Sequence, residues 1–140
     1  MRSTGSGADV LAKAKSLMVA SHFGPTVLVV SITFFVALSQ FSKTEALQIA
    51  IAIFAGQLVV GWTNDVIDYP LDSSANRIQK PLVSGEISII LLRKLIPVAL
   101  FSATLFSYFG PLGLLGTLIH LLGILSATAY NLKLKSTVLS

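Results

Sequence analysis

The amino-acid sequence predicts an all-α protein, a polytopic bundle of about four transmembrane helices with an additional helix at its N-terminus. Hydrophobic residues make up 54% of the 140 residues and charged residues only 11%, whereas a typical soluble domain is about 25% charged. Three stretches contain no Asp, Glu, Lys or Arg: residues 16–42, 46–64 and 95–132, which are 27, 19 and 38 residues long. A helix needs about 20 mostly apolar residues to cross a bilayer. The first two stretches therefore supply one helix each, and the third supplies two.

Residues 1–20 are predicted to form a tail and a short amphipathic helix that lies in the membrane interface. Lys13 and Lys15 fall on one face of this helix, and apolar residues recur on the other. The apolar face consists of Val10, Leu11, Ala14, Leu17 and Met18. A cleaved signal peptide is the alternative, but the basic residues sit within the segment and the apolar run that follows is too long for one. Residues 21–140 are then the transmembrane part of the chain.

The transmembrane helices are predicted over residues 25–41, 45–69, 87–109 and 112–130. Pro25 is acceptable in a first helical turn. Gly110 and Pro111 divide the longest uncharged stretch into two helices, because proline cannot continue a helix and glycine often ends one. Arg93 and Lys94 lie early in the third helix, so we expect them to reach the membrane interface or to precede the buried part.

The distribution of charge argues for a membrane protein and against several other classes. The ten basic residues are scattered rather than gathered into a stripe, which argues against nucleic-acid binding despite a net charge of +4. The sequence contains no cysteine, which excludes disulfides, a thiolate metal site and a cysteine nucleophile.

The same charges predict the orientation of the chain. An even number of crossings puts both termini and the loop between the second and third helices on one side of the membrane. That side holds nine of the ten basic residues, namely Arg2, Lys13, Lys15, Arg77, Lys80, Arg93, Lys94, Lys133 and Lys135. Only Lys43 lies opposite. Since basic residues favour the cytoplasmic side, we expect an integral protein of the cell membrane with both termini and the loop in the cytoplasm.

Half of the six acidic residues are concentrated at the end of the second predicted helix, in an N-D-x-x-D-x-x-x-D run over residues 64–72. The run consists of Asn64, Asp65, Asp68 and Asp72. At about 100° per residue, the first three share or adjoin one helical face, and Asp72 would return to it. Pro70 is expected to kink or end the helix just before it, which would leave Asp72 in the following turn.

Clustered carboxylates repel one another unless a cation neutralises them. Hard oxygen ligands select Mg²⁺, which typically completes its shell with phosphate oxygens. The alternative is a helix end capped by solvated acids, but the helix dipole favours Lys or Arg at that end. Arg77 and Lys80 follow within eight residues of Asp72 and suit the remaining oxygens of a diphosphate. Taken alone, these two cations would be ordinary basic residues of a cytoplasmic loop.

These residues resemble the first aspartate-rich motif of the UbiA superfamily of intramembrane prenyltransferases. The resemblance is carried by Asn64-Asp65-x-x-Asp68-x-x-x-Asp72, Arg77 and Lys80-Pro81-Leu82-x-Ser84-Gly85-x-Ile87-Ser88. Two weaker likenesses flank this motif. Ser21-His22-Phe23-Gly24-Pro25 is similar to the segment that opens the family's first helix. Tyr130-Asn131-Leu132-Lys133-Leu134-Lys135 resembles the end of its fourth helix.

The resemblance implies transfer of a prenyl group from a polyprenyl diphosphate to a small acceptor, often an aromatic ring, within the membrane. It implies that Asn64, Asp65, Asp68 and Asp72 hold Mg²⁺ and, through it, the diphosphate. It also implies that Arg77 and Lys80 neutralise the leaving group, with Lys133 and Lys135 as further contributors. Asp65, Asp68 and Lys80 are the expected catalytic residues.

The family has a second aspartate-rich motif, whereas the last acidic residue of this sequence is Glu86. We therefore expect the chain to be an N-terminal half whose partner is a missing C-terminal half. One alternative is a homo-oligomer that supplies a second copy of the first motif. Another is a non-catalytic four-helix membrane protein that retains a diphosphate-binding motif. His120, which lies in the fourth helix without an acidic neighbour, is expected to be a buried, hydrogen-bonded residue rather than a ligand.

Overall fold

The computed structural model describes residues 7–134, and every regular element in that range is a helix. The helices are α1 (Gly7–Ala20), α2 (Phe23–Ala37), α3 (Lys43–Ser74), α4 (Pro81–Ser84), α5 (Ile89–Tyr108) and α6 (Gly113–Ala129), which continues into a π-helical turn (Tyr130–Leu134). Three of them, α3, α5 and α6 with its continuation, are long and apolar enough to cross a membrane. The pair α1 and α2 is a fourth candidate if the 74° bend between them belongs to one span. The all-α class is confirmed, with three or four candidate spans.

Helix α3 is the centre of the bundle, and all the other α-helices pack against it. It begins in a capping box: Glu45 N donates to Ser42 Oγ at 3.4 Å, and Ser42 N donates to Glu45 Oε2 at 2.9 Å. Its buried positions include several small residues: Ala46, Ala50, Ala52, Ala55, Gly56 and Gly61. Small residues let helix backbones approach closely in a membrane bundle.

The sequence predicted that helix α3 would kink or end just before Pro70. In the structure α3 passes through Pro70 and continues to Ser74. The prediction that Asp72 would lie in a separate turn is therefore wrong. Proline removes one hydrogen bond from the helix, but Pro70 lies on an exposed face of α3. The last turn is held on the opposite face, where Asp72 is buried and forms ion pairs.

The remaining helices lie close to their predicted positions. The helix predicted over residues 25–41 is α2, which begins at Phe23 and ends at Ala37, so residues 38–41 form a turn instead. The predicted N-terminal helix is α1, and Val10, Leu11 and Met18 on it are exposed. Its end is fastened to the bundle, because the indole of Trp62 donates a hydrogen bond to the Leu17 carbonyl at 3.1 Å.

The corner between α1 and α2 rests directly on α3. A Cβ atom on Gly61 would lie 2.8 Å from the carbonyl oxygen of Ser21, so only glycine allows this approach. His22, the next residue, has a φ of 55°, which is uncommon for a residue other than glycine. The close approach brings the His22 side chain over Asp65, one helical turn beyond Gly61.

Candidate functional site

The acidic cluster lies on one face of the last turns of α3. Asp65 and Asp72 are almost completely buried, with side chains 4% and 2% exposed, and the side chain of Asp68 is 13% exposed. The continuation of α3 through Pro70 is what aligns Asp72 with Asp65, seven residues or about two turns apart. The structure therefore brings the three predicted aspartates together on a single element.

The ammonium group of Lys80 lies among these carboxylates. Lys80 Nζ is 3.0 Å from Asp65 Oδ1, 3.9 Å from Asp68 Oδ2 and 2.6 Å from Asp72 Oδ2. The position of Lys80 is set by α4, which begins at the next residue and buries Pro81 and Leu82. Its side chain is directed back onto α3 and is 22% exposed.

The Lys80 ammonium is stabilised in its charged form. Desolvation by burial alone would lower its pKa, but the close contacts with the negatively charged Asp72 and Asp65 outweigh that effect. The pKa of Lys80 is consequently raised above its ordinary value. Two carboxylates thus hold a permanent positive charge between them at neutral pH.

Asp72 is shared between two cations. Arg77 Nη1 donates a hydrogen bond to Asp72 Oδ1 at 2.9 Å, and the Arg77 side chain is 56% exposed. Asp72 Oδ2 is buried, and its contact with Lys80 is an ion pair without the geometry of a hydrogen bond. Arg77 therefore lies at the solvent side of the cluster and Lys80 inside it.

Two further polar side chains complete the cluster. Asn64 Nδ2 donates to Asp68 Oδ2 at 3.2 Å, which places this predicted residue at the site. His22 Nε2 lies 3.6 Å from Asp65 Oδ1 and 3.4 Å from Asn64 Nδ2. Sequence analysis did not assign His22 to the site. The available signal was its place in the segment over residues 21–25, which is similar to the start of the family's first helix.

Two other predicted site residues are not placed by the structure. Lys135 lies outside the described residues, and the side chain of Lys133, which falls in the terminal turn, is not described. Their predicted contribution to diphosphate binding stays a prediction.

His120 is remote from the acidic cluster. Its Nδ1 atom lies 2.8 Å from Ser107 Oγ, and its Nε2 side faces Gly56 of α3. Gly56 precedes Asp65 by nine residues, which is about 14 Å along the helix axis. The expected hydrogen bond of His120 is confirmed, but the residue is only partly buried. The pair links α5 to α6 against α3.

The side chains of the cluster offer the kind of metal ligands that a hard divalent cation prefers. The donors are carboxylate and amide oxygens, two of the carboxylates are buried, and one buried oxygen of Asp72 lacks a hydrogen bond. Within residues 7–134, however, no three His, Cys, Asp or Glu side chains are arranged to hold one metal ion. Lys80 Nζ occupies the space between Asp65 and Asp72.

Comparisons with known proteins identify no relative. No family profile matches the chain, and neither the curated proteins nor the solved structures give a significant match. The likeness to the prenyltransferase motif therefore rests on the residues named above.

The balance of charge indicates what the site can bind. The three aspartates together with Lys80 and Arg77 carry a formal charge of −1. A diphosphate is itself an anion, so these five groups would repel it unless a cation bound as well.

Proposed function

We propose that this protein binds Mg²⁺ and a polyprenyl diphosphate at the acidic cluster and takes part in transferring the prenyl group to a small acceptor in the membrane. The observation that carries the proposal is the burial of Asp65 and Asp72 with Asp68 on one face of α3. Buried carboxylates in a group are costly unless a cation compensates them. The chemistry that Mg²⁺ supplies when bound is neutralisation of the diphosphate leaving group.

The residues of the chain have distinct roles in this proposal. Asp65, Asp68 and Asp72 hold the cation, and Asn64 orients Asp68 through its hydrogen bond. Arg77 is at the solvent side and contacts the outer diphosphate oxygens, which suits its planar group of donors. In the transfer, the bond between the allylic carbon and the diphosphate oxygen breaks and its electron pair leaves with the diphosphate. The allylic carbon then forms a new bond to the acceptor, which releases a proton to water.

An apolar groove beside the cluster supports a lipid-like substrate. The groove has a volume of about 280 Å³ and runs between α3 and α5. It is lined at one end by Trp62, which precedes Asp65 by less than one helical turn, and continues past Leu58, Ala55 and Ile51 on the same face of α3. None of the three aspartates lines the groove, so the hydrocarbon chain of a diphosphate held at the cluster would pass Trp62 to enter it.

We further propose that the cluster faces the cytoplasm. The cations that the structure describes near the cluster end of the bundle are Lys13, Lys15, Arg77, Lys80, Arg93 and Lys94. Lys43, at the other end of α3, is on the opposite side. Because the sequence has no cysteine, single cysteines introduced at Ser74 and Ser39 would report sidedness. In intact cells, a membrane-impermeant maleimide should label the cysteine at position 39 and should not label the cysteine at position 74.

A second candidate function follows from the ion pairs. Lys80 and Arg77 already neutralise two of the three negative charges, so the cluster also fits a purely structural role that joins α3 to α4 in a non-catalytic membrane protein. A structural cluster would show no dependence on divalent cations. The two candidates therefore differ in a measurable property.

The proposal is tested by ligand binding to the purified chain in lipid nanodiscs. The probes are farnesyl diphosphate, inorganic pyrophosphate as a head group alone and farnesol as a tail alone, each with and without Mg²⁺. We expect farnesyl diphosphate to bind only with Mg²⁺, and more tightly than either fragment. Asp65→Asn and Asp68→Asn should weaken this binding about tenfold or more, because each removes a charge from the cation site.

Asp9→Asn is the matched control, because it makes the same chemical change at an exposed position of α1. It should bind as the wild type does. Binding that is independent of Mg²⁺, or equal in all four proteins, contradicts the proposal and favours the structural role. With one aspartate-rich motif in these 140 residues, we expect binding without turnover by the chain alone.

A further inference from the structure

The position of the Lys80 ammonium is the feature that goes beyond the proposed site. Its nitrogen lies within 3.0 Å of an oxygen from each of two buried carboxylates, Asp65 and Asp72. These residues are seven positions apart on α3, so one monovalent cation spans two helical turns. Lys80 also lies 3.9 Å from Asp68 Oδ2 and so reaches all three aspartates.

The backbone fixes the base of this side chain but not its end. Pro81 and Leu82 are buried, so the Cα atom of Lys80 stays beside the cluster. The four-carbon stem, in contrast, has rotatable bonds and carries a compact ammonium. Another cation can therefore replace the ammonium between the carboxylates without any movement of the Lys80 backbone.

We propose that Lys80 is a built-in counter-ion, which occupies the cation position between Asp65 and Asp72 and is displaced when a divalent cation binds. This inference rests on the proposed function, since it concerns regulation of the same site. While no metal is bound, the lysine neutralises the carboxylates and holds them in place. Once displaced, its ammonium is free to contact the diphosphate.

This role predicts the opposite effect from a lysine that only binds diphosphate. If Lys80 competes with the metal, removal of its charge strengthens binding of the cation alone. If Lys80 only contacts the diphosphate, the same change leaves binding of the cation alone unaltered. Measuring the cation in the absence of diphosphate therefore separates the two roles.

The experiment is a Mn²⁺ titration of the chain in nanodiscs of zwitterionic lipid, followed by electron paramagnetic resonance without any diphosphate. We expect Lys80→Met to bind Mn²⁺ about tenfold more tightly than the wild type or better, because a cation in direct contact is removed. Lys43→Met is the matched control. It also removes one positive charge, but from an exposed position at the opposite end of α3, so its affinity for Mn²⁺ should stay within about threefold of the wild type.

A measurement on the unaltered chain covers the case in which Lys80→Met fails to fold. Acylation of lysines by a water-soluble succinimidyl ester is followed by mass spectrometry, with and without Mg²⁺. We expect Mg²⁺ to accelerate modification of Lys80, which is 22% exposed in the ion pairs. Modification of the exposed Lys13 and Lys15 should not change.

The outcomes distinguish failure of the two proposals. The counter-ion proposal is overturned, and the proposed function stands, if the wild type binds Mn²⁺ but Lys80→Met binds it no more tightly. The same holds if Lys80→Met and the control variant gain equally in affinity for Mn²⁺. If neither the folded wild type nor folded Lys80→Met binds Mn²⁺, the proposed function fails as well. Slower acylation of Lys80 in Mg²⁺ would also overturn the counter-ion role.

Discussion

Replacement of Gly61 by alanine should destabilise the bundle through a backbone collision. The new Cβ atom would lie 2.8, 2.9 and 3.0 Å from the carbonyl oxygen, carbonyl carbon and Cα atom of Ser21. These atoms belong to the main chain at the corner between α1 and α2, so they cannot rotate away as a side-chain end can. Overpacking of this kind costs about 1–3 kcal/mol.

The magnitude is obtained by comparison with Gly123→Ala. A Cβ atom on Gly123 has nothing within 4 Å, and Gly123 lies inside α6. Both substitutions gain the helix propensity of alanine, up to about 1 kcal/mol, so this gain cancels in the difference. We expect Gly61→Ala to be less stable than Gly123→Ala by about 1–3 kcal/mol.

Unfolding in mixed micelles of lipid and SDS provides the assay. The chain has a single tryptophan, Trp62, which is buried next to Gly61 and so reports the region by its fluorescence. Circular dichroism of the same samples reports the whole bundle. Equal unfolding midpoints for the Gly61 and Gly123 variants would refute the close approach of the Ser21 backbone to α3.

Three other predictions follow from single contacts. Ser107→Ala leaves His120 Nδ1 without its hydrogen bond and should lower the free energy of unfolding by about 1–3 kcal/mol. In a protein that already carries His120→Leu, the Ser107 substitution should have no such effect. Trp62→Phe removes the hydrogen bond to the Leu17 carbonyl, so trypsin should cleave within α1 faster, and an unchanged rate would contradict the contact. The pKa of Lys80 is raised on folding. The stability that its ion pairs give the folded protein is therefore complete below about pH 10 and is lost as the pH rises through the raised pKa. The wild type should therefore lose more stability than Lys80→Met over that alkaline range, and parallel losses would contradict the ion pairs.

The helices were predictable because their signals are local in the sequence. Uncharged runs of sufficient length and the Gly110-Pro111 break located α3, α5 and α6 to within a few residues, apart from the end of α3. The continuation of α3 past Pro70 was not predictable from propensity. It depends on ion pairs of Asp72 with Lys80 and Arg77, which are tertiary contacts that helical periodicity does not report.

The site was predictable where its residues share one helix. Asp65, Asp68 and Asn64 recur at helical spacing, so their common face follows from the period of the helix. The place of Lys80 between the carboxylates depends on the path of the chain from Ser74 to Pro81. The position of His22 over Asp65 depends on Gly61, which lies on α3 and lets the chain at Ser21 approach closely. The positions of Lys80 and His22 relative to the aspartates therefore could not be predicted from a repeating pattern in the sequence.

The length of α3 sets the depth at which the chemistry would take place. Its 32 residues extend for about 48 Å, whereas the hydrocarbon core of a bilayer is about 30 Å thick. Measured from Lys43, Asp65 lies about 33 Å and Asp72 about 44 Å along the axis. With Lys43 at one boundary of a bilayer, Asp65 would stand at the opposite edge of the hydrocarbon and Asp72 among the lipid head groups. Under the proposed function, a lipid-borne substrate would then reach the aspartates by lateral diffusion, with its charged end at the level of the lipid head groups and its tail in the hydrocarbon.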